Sequence, residues 1–373
     1  MPSERSFQIR LDGHFPATLR TQPMPRQISY QELRSAVLRR VFRRPAHYAD
    51  VAERQWSLAP GVTLPHRGAT YLDGELERIG AVQEDTTLEA ELARLAAGQK
   101  LHVETKAYQF TDVRLQGGRL FKGAVSHRLS HLANLPARSE EVELESAAIA
   151  STLLGSLYFG HWMRDDSTLQ LAVKSLAPTI HIARQTYTHE AGYRGLLSLE
   201  ERRIERARVR ELILLDDWGH NLFKRQRFAE LRASFRRAVP VSGHERIYIR
   251  RGRAIGARGR DMLNTTEVER FLAKQGFTMI DPDTMSAEEI ARAANGARLV
   301  VGLEGSHLGH AIFPIADGGT LLVLQPPLRF NNPYKDVSDT LDLHYAFTVG
   351  VQEQDGFRID LDRLGRLLDR VST

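Results

Sequence analysis

The 373 residues contain no cysteine, so no disulfide, thiolate nucleophile or Cys-ligated metal can be built. Lysine is scarce as well: only seven of the 51 Lys and Arg are lysine, and the basic chemistry of the chain is arginine chemistry. No run of about 18 apolar residues occurs, which leaves no membrane-spanning helix to be read from hydropathy. The opening MPSERSFQIRLDG has no apolar centre of the kind a secretory signal needs, so a cytoplasmic location is the expectation. Aromatic side chains interleaved with the arginine runs are few, and no RNP-like motif is present. A net charge of +5 suits phosphates, anionic lipid or nucleic acid, and charge alone does not choose among them.

What is present is a soluble-type composition, 42% apolar with mixed charge, in a chain long enough for two domains. The clearest pattern runs from Glu245 to Gln325. Arg246–Arg250 reads as a short strand with Ile247 and Ile249 on one face. Thr265–Gln275 reads as a helix closed by Gly276, and Phe277–Asp281 as a strand ended by Asp281-Pro282. Ser286 and Glu289 have capping-box spacing for the next helix. Leu299–Val301 and Thr320–Leu324 are continuous apolar runs, as strands buried on both faces should be. This alternation predicts an α/β fold with a doubly wound parallel sheet.

Ligands in such sheets sit outside the carboxyl ends of the strands. Two loops there carry chemistry: Arg250-Arg251 continuing to Arg258 and Arg260, and Gly302-Leu303-Glu304-Gly305-Ser306-His307 entering a helix over His307–Phe313. Backbone N–H groups at a small-residue turn and fork-shaped arginine donors both suit a diphosphate. The plainer reading is a solvated arginine loop beside a glycine turn. His307 and His310, at i, i+3 with Glu304 nearby, offer a cation site in spacing, and hydrogen bonding is the favoured reading.

The order IYIRR, then Arg260 and Asn264 ahead of a helix, then SAEEI and VVGLEGSHL, resembles glycosyltransferase family 61. Arg251, Arg260 and Asn264 match that family's pattern. Thr265 stands where Glu is usual, Glu289 where Gln is usual, and Glu304-Gly305-Ser306 where His-Gly-Ala is usual, departures similar to a bacterial branch. Upstream, Tyr158, His161, Trp162 and Asp165 are similar to the family's Tyr–x2–His-Trp signature with Asp four residues on, while Ser167-Thr168-Leu169 replaces its Leu-Pro-Arg. Gly155–Gly160 is expected to approach in extended form, with a helix from about His161 to Leu176.

The resemblance implies a GT-B-like fold, with two Rossmann-like domains facing a cleft and a C-terminal helix over Asp360–Val371 returning to the first domain. It implies an inverting, metal-independent transferase with no cofactor beyond its nucleotide-sugar co-substrate. The acceptor would be a glycan or lipid-linked glycan, in bacterial surface polysaccharide synthesis. On this reading Arg251, Arg260, Asn264, Glu304, Gly305, Ser306 and His307 bind the donor. Asp165 is the candidate base at the cleft mouth, steadied by His161 at i, i+4, with Asp166 pointing elsewhere and Glu304 the competing base. Without the resemblance, Asp165 and Asp166 read as acids favoured in a helix's first turn.

The domains are then 1–240, an acceptor side with a β-containing region to about 140; 241–350, the nucleotide-sugar domain; and a tail over 351–373. Gln31–Arg44 has a basic amphipathic pattern that suits either an anionic membrane surface or packing on its own domain. Ala107–Arg114 and Gly118–Ala124 read as a hairpin, Arg202–Arg210 as a charged linker or helix, and the helix carrying Phe228, Leu231 and Phe235 as arginine-clad outside. The rest of 45–140 shows no chemistry above structure. Rival readings are a nucleic-acid-binding protein and an inactive sugar-nucleotide scaffold.

Overall fold

The computed structural model describes residues 47–131, 139–251, 261–354 and 356–372; the stretch 31–44, Arg258 and Arg260 lie outside the described residues. Two large sheets organise the chain. The first is built from β1 (Arg54–Ala59), β4 (Thr105–Gln116), β5 (Arg119–Lys122), β6 (Val125–Arg128), β7 (Val142–Ile149), β8 (Thr179–Ile182), β9 (Arg203–Ile204) and β10 (Arg206–Asp216). Its order is β6-β5-β4-β10-β7-β8-β9 with β1 added to β4. A short hairpin of β2 (Val62–His66) and β3 (Gly98–His102) stands apart from it.

This sheet is mixed rather than Rossmann-like. The β6-β5-β4-β10 half is antiparallel, and β10-β7-β8-β9 is parallel. The charged stretch expected as linker or helix is instead β9 and the start of β10. There Ala207 and Val209 turn inward while Arg208 and Arg210 turn out, the period-2 pattern of a half-buried strand.

The second sheet meets the expectation of parallel strands. β11 (Arg246–Ile249), β12 (Thr278–Ile280), β13 (Leu299–Leu303), β14 (Thr320–Gln325) and β15 (His344–Val349) lie in the order β12-β11-β13-β14-β15, all parallel. Both faces are covered. Ile247, Ile249 and Val300 pack against Tyr193, Phe228 and Phe235, while Tyr248, Val301 and Leu322 pack against Val268 and Leu272. The helices begin with α1 (Leu88–Leu95), α2 (Leu153–Leu157) and α3 (Phe159–His161). They continue through α4 (Ser167–Val173), α5 (Glu190–Leu197), α6 (Leu222–Ala238) and α7 (Thr265–Lys274) to α8 (Ala287–Ala294), α9 (Pro333–Thr340) and α10 (Leu361–Ser372). The capping box at Ser286 and Glu289 is formed at the start of α8.

Several expectations need correction. The tail over 351–373 opens on a hairpin of β16 (Val351–Glu353) and β17 (Gly356–Arg358) before its helix. The C-terminal helix does not cross to the large sheet: Leu364, Leu367 and Leu368 of α10 share a core with Tyr248, Val268 and Leu322. From there its arginines hold an upstream strap, Arg363 on Glu75 and Arg370 on the Tyr71 carbonyl. That strap, residues 69–95, belongs to the stretch that sequence assigned to the first domain, yet it lies along the parallel sheet. Thr70 bridges Ala346, and Val82 bridges Phe330. Gly155–Gly160 is helical on both sides of Tyr158, which alone keeps extended backbone, and Thr152 caps α2 by accepting from Gly155 N.

α6 starts on the β10 side and buries Phe228, Leu231 and Phe235 against the parallel sheet, while the strands of the first sheet pack in cores of their own. At Gly160 the chain ahead of α4 comes close to the loop after β13 and to α9. A Cβ there would stand 2.4 Å from the Tyr334 hydroxyl, 3.2 Å from Ser306 Cα and 3.3 Å from the Ser306 carbonyl oxygen. We expect Gly160→Ala to cost about 1–3 kcal/mol, the range for overpacking. Gly195→Ala, at a helical site with nothing within 4 Å, should gain roughly 0.5–1 kcal/mol. Thermal melts of both variants check this, and an unchanged melting temperature for Gly160→Ala counts against the contact.

Candidate functional site

The strand order reverses between β11 and β13, and the crevice at such a reversal is where open parallel sheets bind ligands. Arg251 follows β11 there, and Glu304-Gly305-Ser306 follows β13. Gly305 has φ 152 and ψ 174, a region essentially reserved for glycine, and this lets the loop turn sharply out of the strand. The Arg251 Nε lies 3.9 Å from where a Gly305 Cβ would be, and the His307 ring lies 3.2 Å from it. The helix expected over His307–Phe313 is a 3-10 segment, Ser306–Ala311.

Opposite this loop lies the chain from Leu154 to Arg164. The two enclose a cleft of about 610 Å³, open solvent at its mouth included, lined on these sides by Tyr158, His161, Arg164, Glu304, Gly305 and Ser306. Between α3 and α4 the backbone widens into a π-helical turn, Trp162–Asp166, a feature frequent at functional sites.

The expected pair is brought together with its order in depth reversed. His161 lines the cleft, whereas Asp165 is 6% exposed and sits behind it. Asp165 Oδ2 accepts from His161 Nδ1 at 2.8 Å and from Arg164 Nε at 3.0 Å, and its Oδ1 accepts from Lys224 Nζ at 3.1 Å. Burial alone would raise the Asp165 carboxyl, but Arg164, Lys224 and His161 overcome it and hold the group well below the usual carboxylate range. An ionised carboxylate only accepts, so the His161 proton resides on Nδ1 and Nε2 is the lone-pair nitrogen. Arg164 Nη2 stands 3.1 Å from Nδ1 and 3.3 Å from Nε2, so the guanidinium lies against the ring as well as against the carboxylate. Burial and then the Arg164 charge lower the His161 pKa from 6.5, with Asp165 opposing them, which keeps the ring neutral at pH 7.

Lys224 is the residue that sequence reasoning missed. It is 1% exposed, on α6, and donates also to the Asp217 carbonyl at 2.9 Å. Asp217 in turn takes both ends of Arg227, at 2.8 and 2.7 Å, and the Thr105 hydroxyl at 2.8 Å. The helix expected to carry its arginines outside therefore buries Lys224, Arg227 and Arg232. The signal that was available is Asp217 at a strand end with Lys224 and Arg227 spaced i, i+3 beyond it.

Other expected residues divide. Glu304 is buried and paired with Arg329, Oε2 to Nη1 2.9 Å. Asn264 does not face the cleft: its Nδ2 donates to the Ile359 carbonyl at 2.8 Å and its Oδ1 accepts from Ile359 N at 3.0 Å, which fixes the start of α7 to the approach to α10. Arg260 lies outside the described residues. His310 is buried away from the cleft with its Nδ1 2.8 Å from the Tyr193 hydroxyl. Among the described residues no group of three or more acidic or His side chains is placed to hold a metal ion. No helix there is long and apolar enough to cross a membrane.

The likeness of this stretch is to sugar-transferring enzymes, the glycosyltransferases. Residues 159–323 match the family model described as Glycosyltransferase 61, and the resemblance carried by the motifs holds over that stretch. The match includes His161, Asp165, Lys224, Arg251 and the Glu304–His307 loop, and leaves out the strap over 69–95. No curated protein compared with the chain matches it.

Asp166, as expected, points away from Asp165: its Oδ1 accepts from Thr152 N at 3.0 Å and from the Thr152 hydroxyl at 2.8 Å. Burial pushes its carboxyl up to about 7, with Thr152 and Arg184 offsetting part of the rise. The folded pKa thus exceeds the unfolded 3.8, so the charged form penalises the fold. That penalty is absent below about pH 4, grows as pH rises, and is complete above about pH 7. Asp166→Asn keeps the accepting Oδ1. Its melting temperature relative to wild type should rise between pH 4 and 8, and a constant difference across that range contradicts the assignment.

Proposed function

We propose that the protein is an inverting, metal-independent glycosyltransferase, moving a sugar from a nucleotide-sugar donor to a glycan or lipid-linked glycan acceptor. The supporting observation is His161 at the cleft, bonded through Nδ1 to buried Asp165, opposite the loop that leaves the strand-order reversal. In this reading the acceptor hydroxyl attacks the anomeric carbon while His161 Nε2 takes its proton, forming the new C–O bond. The bond to the diphosphate breaks with its electron pair on the leaving oxygen. Arg251 and the Gly305–His307 turn meet that developing charge, with Arg260 as a further donor. Glu304, held by Arg329, is suited to a donor-sugar hydroxyl rather than to proton removal.

Asp165 then serves as the group that orients and charges the imidazole, and not as the proton acceptor. A carboxylate held far below its usual pKa is a weak base. We assign the donor to residues 241–350 and the acceptor to the preceding part of the chain, in a GT-B-like arrangement. The setting proposed is the cytoplasmic face of a bacterial membrane, in surface polysaccharide synthesis, with the basic 31–44 stretch as the contact with anionic lipid.

A thermal-shift panel of nucleotide sugars identifies the donor. With that donor, His161→Ala should lose turnover by about 10²–10⁴, the usual worth of a general base, and leave donor affinity near wild type. A folded His161→Ala protein with wild-type turnover overturns the assignment, and the absence of a shift with every nucleotide sugar overturns the function.

A further inference from the structure

The cleft has a third wall, supplied by the strap that lies outside the family match: Gln83 and Asp85. The strap is fixed there by backbone bonds rather than by side-chain packing alone. Gly80 N donates to the Pro327 carbonyl at 2.8 Å, Phe330 N to the Ala81 carbonyl at 2.9 Å, and Gln83 N to the Phe330 carbonyl at 3.2 Å. Thr86 N then closes a turn on the Gln83 carbonyl at 3.1 Å. The Gln83 side chain is thereby placed by its backbone, and its Oε1 is buried with no hydrogen-bond partner. A buried acceptor left without a donor is costly, and in a cleft it fits a ligand hydroxyl.

Across from it, Leu154 and Tyr158 give the same cleft an apolar surface. Tyr158 is 42% exposed, and its ring centre lies 5.8 Å from that of His161. We propose that Gln83, Asp85, Leu154 and Tyr158 form a saccharide subsite that presents an acceptor hydroxyl to His161. The chemistry selects that ligand class. A pyranose ring has an apolar C–H face to lie on Tyr158 and Leu154, and hydroxyl donors for the Gln83 oxygen and the Asp85 carboxylate. Both polar groups accept, so an anionic group such as a phosphate is disfavoured at this wall and a hydroxyl-rich neutral ring is favoured. This inference deepens the transferase reading by naming what occupies the acceptor side, and it rests on that reading only for the role of His161.

The test is saturation-transfer NMR on the full chain with the methyl pyranosides of glucose, galactose, mannose and xylose, run on wild type, Tyr158→Ala and Gln83→Leu. The same three proteins are titrated with the donor found by thermal shift. At least one glycoside should bind wild type, tenfold or more weaker to Tyr158→Ala and several-fold weaker to Gln83→Leu, with donor affinity unchanged in both. Where Tyr158→Ala fails to fold, Tyr158→Leu keeps an apolar surface without the ring and should still lose several-fold. Absence of glycoside binding to wild type, or equal binding to the variants, overturns the subsite whatever the donor does. Glycoside binding lost in the variants, with no nucleotide sugar bound by wild type, keeps the subsite and overturns the transferase reading.

Discussion

One ionised carboxylate in the interior governs the arrangement. Removing Asp165 from water without partners would cost several kcal/mol, and a charge left in that state either neutralises or unfolds its surroundings. Here Lys224, Arg164 and His161 surround it. Lys224 is itself balanced through Asp217, which Arg227 clamps with two hydrogen bonds. The chain of alternating charge joins the π-helical turn, the end of β10, the start of α6 and, through Thr105, the start of β4. Breaking one such pair by removing a partner typically costs about 3–5 kcal/mol, more than a pair of exposed charges contributes. The network therefore fixes where the His161 ring stands, which a loop held only by exposed contacts would not.

That position matters because the second wall of the cleft is fixed by a different physical device. Where the Asp165 side depends on charge, the Ser306 side depends on the absence of side chains. Gly160 and Gly309 let the two chains meet, the Gly160 Cα lying 3.3 Å from where a Gly309 Cβ would be. Gly305 permits the turn that brings Glu304 and Ser306 to the cleft. The strap over 69–95 adds the third wall through backbone bridges to Phe330 and Ala346, and α10 holds the strap in place with Arg363 on fully buried Glu75. Charge, close backbone contact and strand-like bridging each set one wall, so the cleft is formed in the resting protein.

How much of this was legible depended on the kind of contact. The parallel sheet was, because Leu299–Val301 and Thr320–Leu324 are buried on both faces and leave no other reading of their apolar runs. The cap at Ser286 and Glu289 was readable for the same local reason. β10 was not, since Arg206, Arg208 and Arg210 mask the alternation of Ala207 and Val209. Lys224 and Arg227 were hidden because amphipathic patterning places basic residues outside, and only the three-dimensional meeting with Asp165 and Asp217 brings them in. The His161–Asp165 pairing followed from i, i+4 spacing, while which of the two faces the cleft did not, because depth is set by α6 and not by the local turn. Asn264 matched a motif yet is spent on the Ile359 backbone, a partner 95 residues away. Ahead of α1 the strap has no periodic pattern, because its placement rests on main-chain bonds.

The central claim is that the Asp165 network presents a neutral imidazole to the cleft, with its lone pair on Nε2. The direct measurement is a pH titration of the His161 ring nitrogens by ¹⁵N NMR on the full chain. The account predicts a midpoint below 6.5 and a neutral form protonated on Nδ1, facing the Asp165 carboxylate. A ring still charged at pH 7, or a neutral ring carrying its proton on Nε2, would contradict it.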